Sequence, residues 1–289
     1  GLRPEQWVGL FALAAVGLVD DRYGLRARYK AVAGLLVAGL VAAPAAYRVV
    51  EAQPSLQLFG SLPLPPVWPV AFALLVLLYW FIPQAMNLID GANGLALGYG
   101  LVVLGVLALA GHPLGFCAGV LLGLLALNWP RARHFLGDTG STVLGLLLAL
   151  EVKRAVGLVD PDLVLWVFAY PIVDVATVVA IRVLTGRALG QGDRSHLHHQ
   201  WMDRFPRWRA LAVPWLWLQA ALCASAVLVR GWGWALPVLG LSLLVAQALV
   251  FIVQAMLTPR EAEPEVLAFK PVPVEEDDKP PSGDDYFAA

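Results

Sequence analysis

VWPVAFALLVLLYWFIPQAMNLIDGANGLALGYGLVVLGVLALAG, residues 67–111, decides the fold. Its first 20 residues, Val67–Met86, carry no charge. As a helix they would measure about 30 Å, the thickness of a bilayer's hydrocarbon core. A polar turn with Asn87, Asp90 and Asn93 follows, and a second apolar run, Gly94–Gly111, completes the hairpin. Hydrocarbon admits only helices and closed barrels, because every backbone N–H and C=O must find a partner within the protein. Runs of this length without a period-two alternation are helical.

The pattern repeats on both sides of this hairpin. Further apolar runs occupy Trp7–Val19, Ala31–Val50, Pro113–Trp129, Thr142–Val156, Leu163–Leu184, Ala210–Val229 and Trp234–Leu257, which makes nine. The first and sixth are short for a crossing, but alternation of the loops requires both. The expected fold is all-α, a polytopic transmembrane helical bundle of about nine spans, with one domain over residues 1–257. Composition agrees: 59% of the 289 residues are hydrophobic, 14% are charged and the mean hydropathy is +0.71, against about 45–50% apolar content in soluble domains. The Gly-, Ala- and Leu-rich runs allow the close helix approach expected of a bundle in lipid. Cys117 and Cys223 both lie in apolar runs and read as small hydrophobes, not as a disulfide or metal site.

Charge placement sets the orientation. Counted over alternate loops, twelve Lys and Arg fall on one side, in residues 20–30, 87–93, 130–141 and 182–209, and five on the other. The richer side is therefore expected to be cytoplasmic. The connector from Glu51 to Pro66, with four prolines and a glycine, is expected outside as a short hairpin. From Thr258 onward the chain is rich in Pro, Glu and Asp, and residues 258–289 read as a disordered cytoplasmic tail. That tail holds much of the acidity: nine of the 21 acidic residues fall in Arg260–Ala289, against three of the 20 basic ones. The embedded part is mildly basic, as suits anionic lipids and substrates. Nothing in it points to nucleic acid. The chain opens on Gly1 rather than Met, so an N-terminal portion is expected to be missing.

The polar clusters all fall on the expected cytoplasmic side, although only Lys and Arg fixed that side. Asp20 and Asp21 close the first run, with Lys30 beyond them. Two adjacent carboxylates repel unless a cation or proton lies between them, and hard oxygen donors suit magnesium; a solvated helix end is the plainer alternative. Asp138, in FLGDTGS, reads either as a helix N-cap or as part of a turn that offers backbone N–H groups to a phosphate. Asn87 and Asp90 fit a simple Asp-Gly turn as well as they fit a binding loop. Arg194, His196, His198 and His199, in DRSHLHH, suit either a metal or a diphosphate. Asp174 lies within a span three residues after Pro171, where a helix-packing bond at the proline break competes evenly with a part in catalysis, so it is placed behind the site rather than in it.

Together these strings resemble the polyprenyl-phosphate N-acetylhexosamine-1-phosphate transferases, the membrane glycosyltransferase family 4. GLVDDRYGLRARYK is similar to the family's acidic-pair loop, AMNLIDGANGLALG to its Asn-x-x-Asp-Gly loop and HFLGDTGSTVLG to its Gly-Asp-x-Gly-Ser loop. YPIVD and DRSHLHH are similar to its proline–aspartate span and histidine loop. The likeness runs over residues 5–257 in order and spacing, and the spaced His-x-His-His form resembles the WecA/TagO branch rather than the translocase branch. Two departures stand out. Many relatives carry an aspartate where this chain has Asn93, and the family has eleven spans, of which the first two have no counterpart here.

The resemblance implies transfer of a sugar 1-phosphate, GlcNAc-1-phosphate first among the alternatives, from a UDP-sugar to undecaprenyl phosphate. The products are undecaprenyl-diphosphate-sugar and UMP, the first step of a cell-envelope polysaccharide such as O-antigen lipopolysaccharide. Other UDP-N-acetylhexosamines and phospho-MurNAc-pentapeptide remain alternative donor groups. It implies a multi-pass protein of the bacterial inner membrane with its active site on the cytoplasmic face, and leaves a homodimer open. Asp20, Asp21 and Asp138 would be catalytic, with Asp21 and Asp138 holding Mg2+ or, alternatively, Mn2+. Lys30, Asn87, Asp90, Arg194, His196, His198 and His199 would bind substrate. An anionic-solute transporter and an inactive scaffold are the rival classes, though a transporter would place its polar groups near the midplane.

Overall fold

Each apolar run becomes helix, and the polar residues at several run ends are helical too. The computed structural model describes residues 2–52, 56–58, 62–64, 68–113, 115–156, 161–187, 195–229 and 234–257. The expected tail over 258–289 and the expected substrate-binding Arg194 lie outside the described residues. Eleven helices are described: α1 (Pro4–Tyr23), α2 (Ala27–Ala52), α3 (Trp68–Ile89), α4 (Leu95–Leu109), α5 (Gly115–Asn128), α6 (Gly137–Val156), α7 (Pro161–Val167), α8 (Ala169–Thr185), α9 (Leu197–Arg204), α10 (Arg209–Ala224) and α11 (Ala235–Leu257). Short 3-10 turns flank α10. Two three-residue strands, β1 (Leu56–Leu58) and β2 (Leu62–Leu64), pair antiparallel in the α2–α3 connector, where a hairpin was expected.

The chain is an all-α membrane-spanning bundle, but the individual spans differ from their sequence reading. The two runs that looked short, the first and sixth, lengthen to 20 residues in α1 and α6 because their polar flanks continue the helix. The fourth and fifth shorten to 15 and 14 residues, or about 22 Å of rise. The seventh divides at Phe168 into α7 and α8. Pro171 follows two residues into α8, in the first turn, where a missing N–H costs no helical bond. Among the described residues four helices meet both the length and the apolarity needed for a crossing: Ala27–Glu51, Trp68–Ile89, Pro206–Leu228 and Ala235–Leu257.

Helices α1, α2, α3 and α6 pack on one another and carry the centre of the bundle. Their shared core holds Leu10, Leu13, Val41, Ala42, Leu75, Ile82, Met86, Leu146 and Ala149, all buried. Helices α4, α5, α7, α8 and α10 extend it, with Tyr99 and Tyr170 fully enclosed between them. Exposed leucines and valines such as Leu36, Leu122, Val183 and Leu249 form the lipid-facing exterior that such a bundle requires. The antiparallel run of these helices brings the C-terminal ends of α1 and α3 to the N-terminal ends of α2 and α6, and the polar residues meet there.

Candidate active site

Asp20 and Asp21 both lie in the last turn of α1, and neighbouring positions on a helix do not face the same way. The two therefore have different partners. Asp20 turns inward: its Oδ2 pairs with Lys30 Nζ at 2.7 Å, and its Oδ1 accepts the Leu25 N–H at 2.6 Å. Asp21 turns toward α6. Its Oδ1 accepts the Asp138 N–H at 2.8 Å, while its Oδ2 accepts the Thr139 N–H at 3.1 Å and the Thr139 hydroxyl at 2.6 Å. It thus caps the open N-terminus of α6, where orphan N–H groups and the helix dipole favour a negative charge. Gly137 makes this approach feasible. Its φ is +63° and a side chain there would meet Asp21 Oδ2 at 2.8 Å, so glycine is required on both counts.

Asp138, in the first turn of α6, completes the cluster. Its Oδ2 accepts Lys30 Nζ at 2.6 Å, so one ammonium group lies between the carboxylates of Asp20 and Asp138. Lys30 comes from the first turn of α2, 108 residues earlier in the chain. Burial raises the Asp138 carboxyl, but hydrogen bonds with Asp20, Lys30 and Asn87 and the Lys30 charge outweigh it and hold the group down to about 2. Asp20 moves the opposite way, pushed up by burial and by its hydrogen bond with Asp138. Burial also raises Asp21, and the donors of Thr139 and Asp138 overcome it to leave the group below its ordinary value.

The turn after α3 forms the next wall. The Asn87 amide donates to Ser141 Oγ at 3.0 Å, which ties α3 to α6. Ser141 in turn donates to the Gly137 carbonyl at 2.8 Å. Asp90, at the start of the turn, is pushed up to about 7 by burial and then by the charge of Asp138. Asn93 is turned away from these groups, and its amide reaches the Pro130 carbonyl at 3.3 Å. Asn128, at the end of α5, accepts the Gly94 N–H at 2.6 Å and donates to the His134 carbonyl at 2.7 Å, fixing the two loops to each other.

The histidine loop reaches the same place. His196 occupies the N-cap position of α9, and the rings of His196, His198 and His199 follow one another with centroids 5.6 Å and 4.1 Å apart. His198 Nε2 lies so close to the Asp90 turn that a methyl group at Gly91 would sit 2.6 Å from it. Behind the loop, fully buried Asp174 accepts the Leu197 N–H at 2.7 Å and lies 2.7 Å from His196 Nδ1.

The structure therefore gathers Asp20, Asp21, Lys30, Asn87, Asp90 and Asp138 at one end of the bundle and brings His198 and His199 against the Asp90 turn. Thr139, Ser141, Asn128 and Asp174 hold this arrangement, and of these the sequence singles out Asp174 alone, as a residue behind the site. Thr139 and Ser141 carry a local signal, since they follow Asp138 at the start of a helix. Asn128 carries none, because Gly94 lies 34 residues away, whereas Asp174 is marked by its place in a span after Pro171 although its partners lie 22 and 23 residues away.

A helical bundle with several membrane-spanning helices and a carboxylate–lysine cluster beside a histidine loop at one end is a multi-pass membrane protein. The chain belongs to glycosyl transferase family 4, whose sequence profile matches residues 6–154, about half of its length. Three relatives show the range of similarity. A Bacillus subtilis (strain 168) protein named "Probable undecaprenyl-phosphate N-acetylglucosaminyl 1-phosphate transferase" is 32% identical over 208 residues, 68% of this chain and 57% of that protein. The Mycolicibacterium smegmatis decaprenyl-phosphate N-acetylglucosaminephosphotransferase is 28% identical over 275 residues, 83% of this chain and 67% of its own length. A phospho-N-acetylmuramoyl-pentapeptide-transferase of Shouchella clausii is 32% identical over a shorter 155 residues, 50% of this chain and 46% of that protein. The chain thus spans 57% to 67% of the first two relatives.

Proposed function

We propose that this chain transfers GlcNAc-1-phosphate from UDP-GlcNAc to undecaprenyl phosphate, releasing UMP and starting a cell-envelope polysaccharide. The observation that carries the reading is the meeting of Asp20, Asp138 and Lys30 at one end of the bundle, beside the Asp90 turn and the histidine loop. In this reaction a lipid phosphate oxygen attacks the β-phosphorus of the UDP-sugar, and the bond to the bridging oxygen on the UMP side breaks. A phosphate monoester has a second pKa near 6, so the nucleophile is already largely ionised at neutral pH and needs no strong base. Positioning and charge neutralisation are what the protein has to supply.

The residues divide accordingly. Lys30 supplies a fixed cation between Asp20 and Asp138, within reach of an incoming phosphate. Asn87 and Asp90 serve the nucleotide, and Asp90, poised near neutrality, can hold a proton and donate it in a hydrogen bond. His196, His198, His199 and Arg194 serve the diphosphate and sugar. The donor set near Lys30 is carboxylate oxygen, the hard type that magnesium prefers, and two of these carboxylates already converge on one cation. Among the described residues no three His, Cys, Asp or Glu side chains surround a common point. Magnesium needs only one or two carboxylates, the rest of its shell being water and substrate phosphate. Asp138 would hold the ion together with Asp20 or Asp21, with manganese as the alternative. When bound, it would neutralise charge on the diphosphate and on the departing UMP. The open end of the bundle would face the cytoplasm from a bacterial inner membrane, in line with the twelve-to-five Lys and Arg asymmetry.

The test is a transfer assay with radiolabelled UDP-GlcNAc, undecaprenyl phosphate and the chain in nanodiscs. Labelled lipid and one UMP per transfer are expected, with label lost when magnesium is chelated. Absence of lipid product with every UDP-N-acetylhexosamine and with the UDP-linked pentapeptide donor would overturn the reading, and uptake of label into sealed vesicles would favour a transporter instead.

A further inference from the structure

Asp174 is a fully buried carboxyl group within the bundle, on α8 three residues past Pro171. An ionised carboxylate there is tolerable only when paired and hydrogen-bonded. Both of its oxygens are used. Oδ1 accepts the Leu197 N–H at 2.7 Å, and Oδ2 lies 2.7 Å from His196 Nδ1. The first bond can run in only one direction, since a backbone N–H has no lone pair to offer. For the second, a carboxylate is an acceptor, so the proton belongs on Nδ1.

We infer that Asp174 is the positioning residue of the histidine loop: it holds His196 in the Nδ1–H tautomer and so presents Nε2 as the ring nitrogen available to substrate. The ring orientation it sets has consequences beyond His196. The His196 ring lies nearly parallel to that of His198, at 22° and 5.6 Å, and His198 leads to His199 and to the Asp90 turn. The clamp on Leu197 N–H adds the first residue of α9 to the same anchor. Asp174 does not reach the carboxylate cluster itself and acts through the imidazoles. The kinetic part of this inference rests on the transferase reading, whereas the tautomer does not.

Asp174→Asn separates orientation from bulk. The Leu197 N–H still needs an acceptor, so the amide oxygen remains with it. The amide NH2 then faces His196 Nδ1 and donates to it, which moves the imidazole proton to Nε2 and inverts the tautomer. This is the logic by which an aspartate behind a catalytic histidine is replaced in serine proteases. Supporting residues of this kind are commonly worth 10- to 100-fold.

The experiment has two arms. In the first, histidine-labelled chain in nanodiscs is studied by 15N NMR, with the His196 signals assigned by their loss in His196→Ala. Nδ1 is expected in the protonated-nitrogen region in the wild type, and in the bare-nitrogen region in Asp174→Asn. A bare Nδ1 in the wild type would overturn the inference even if the variant failed to fold. In the second arm, transfer kinetics are compared in a double-mutant cycle. Asp174→Asn is expected to lower kcat about 10- to 100-fold, with KM for polyprenyl phosphate nearly unchanged. In the His196→Ala background it is expected to lower kcat less than about 2-fold further, as coupled residues do. An equal loss in both backgrounds would show that Asp174 merely supports the fold. A chain that transfers no sugar would sink the transferase reading while leaving the NMR arm able to decide the tautomer.

Discussion

Replacing Lys30 with Met keeps the length and apolar stem of the side chain and removes only its charge. In the native site the ammonium lies 2.7 Å from Asp20 and 2.6 Å from Asp138. At an effective dielectric near 20, each contact carries on the order of 6 kcal/mol of Coulomb attraction. Most of that is returned as the cost of taking the three charges from water. Breaking a fully buried pair costs about 3–5 kcal/mol, but here Lys30 and Asp138 each keep 29% of their side-chain surface exposed, whereas Asp20 keeps 6%. Discounted for that solvent, the expected loss is about 2 kcal/mol at neutral pH, or about 4–6 °C in melting temperature.

The loss should depend on pH in a defined direction. Asp138 is held down to about 2 in the native protein, against an ordinary value of 3.8. Its stabilising share is therefore complete above 3.8 and disappears as pH falls through about 2. Without Lys30 two carboxylates face each other, and one of them must keep a proton well above the usual range. The penalty of Lys30→Met is thus greatest at pH 7–8 and shrinks toward pH 4. Tryptophan fluorescence during thermal unfolding, with eleven tryptophans in the chain, would measure it across that range. A penalty that stays constant between pH 4 and pH 8, or no penalty at neutral pH, would refute the bridging role of Lys30.

Other variants probe the rest of the cluster. Asp21→Asn is expected to cost about 0.5–2 kcal/mol of stability through the weakened cap on α6, as well as lowering transfer, whereas Asp138→Asn is expected to abolish magnesium-dependent transfer in a protein that still inserts and folds. Full activity in Asp138→Asn would remove it from the proposed metal site. Asp90 holds its proton in the folded state up to about 7 and has an ordinary value of 3.8, so its contribution to stability is greatest below 3.8 and is lost as pH rises to about 7. Asp90→Asn should flatten that decline in melting temperature, and identical pH curves for the two proteins would contradict it. Cysteines introduced at exposed Tyr23 and Leu109, in a chain lacking Cys117 and Cys223, should label from opposite sides of a sealed vesicle, and labelling from one side would break the proposed topology.

How much of this could be read from the sequence depends on how local each signal is. The apolar runs and the polar loops between them are local, and they placed the bundle and most of the cluster. Hydropathy ends a span at its first charged residues, so Asp20, Asp21 and Asp138 look like loop positions. They are helical because Asp is well tolerated in a first turn, and because the α1 end is tied down by Lys30, Leu25 and α6. The different partners of Asp20 and Asp21 follow from roughly 100° of helix rotation, which two letters in a row do not display. Ser141 and Ser195 are buried, although both stand in polar stretches. The Asp174–His196 pair joins a span to a loop 22 residues later, a separation over which no local pattern pairs two residues.

The charge balance of the cluster carries a last prediction. Among the described residues its inner groups are the carboxylates of Asp20 and Asp138 against the ammonium of Lys30, while Asp21 and Arg22, Arg26 and Arg28 are exposed. Exposed arginines are screened by water and salt over about 8 Å at physiological ionic strength, so they cannot offset the inner acidity at close range. A diphosphate approaching this centre meets net repulsion unless cationic charge arrives with it. Binding of UDP-GlcNAc, measured calorimetrically in nanodiscs without any lipid acceptor, should therefore weaken at least about 10-fold, or 1.4 kcal/mol, when EDTA replaces magnesium. The same exchange should matter less in Asp138→Asn, where one of the repelling charges is gone. Equal affinity with magnesium and with EDTA in the unmodified chain would mean that Lys30 and the histidine loop suffice to hold the diphosphate, and the proposed metal dependence would then have to act on the reaction step alone.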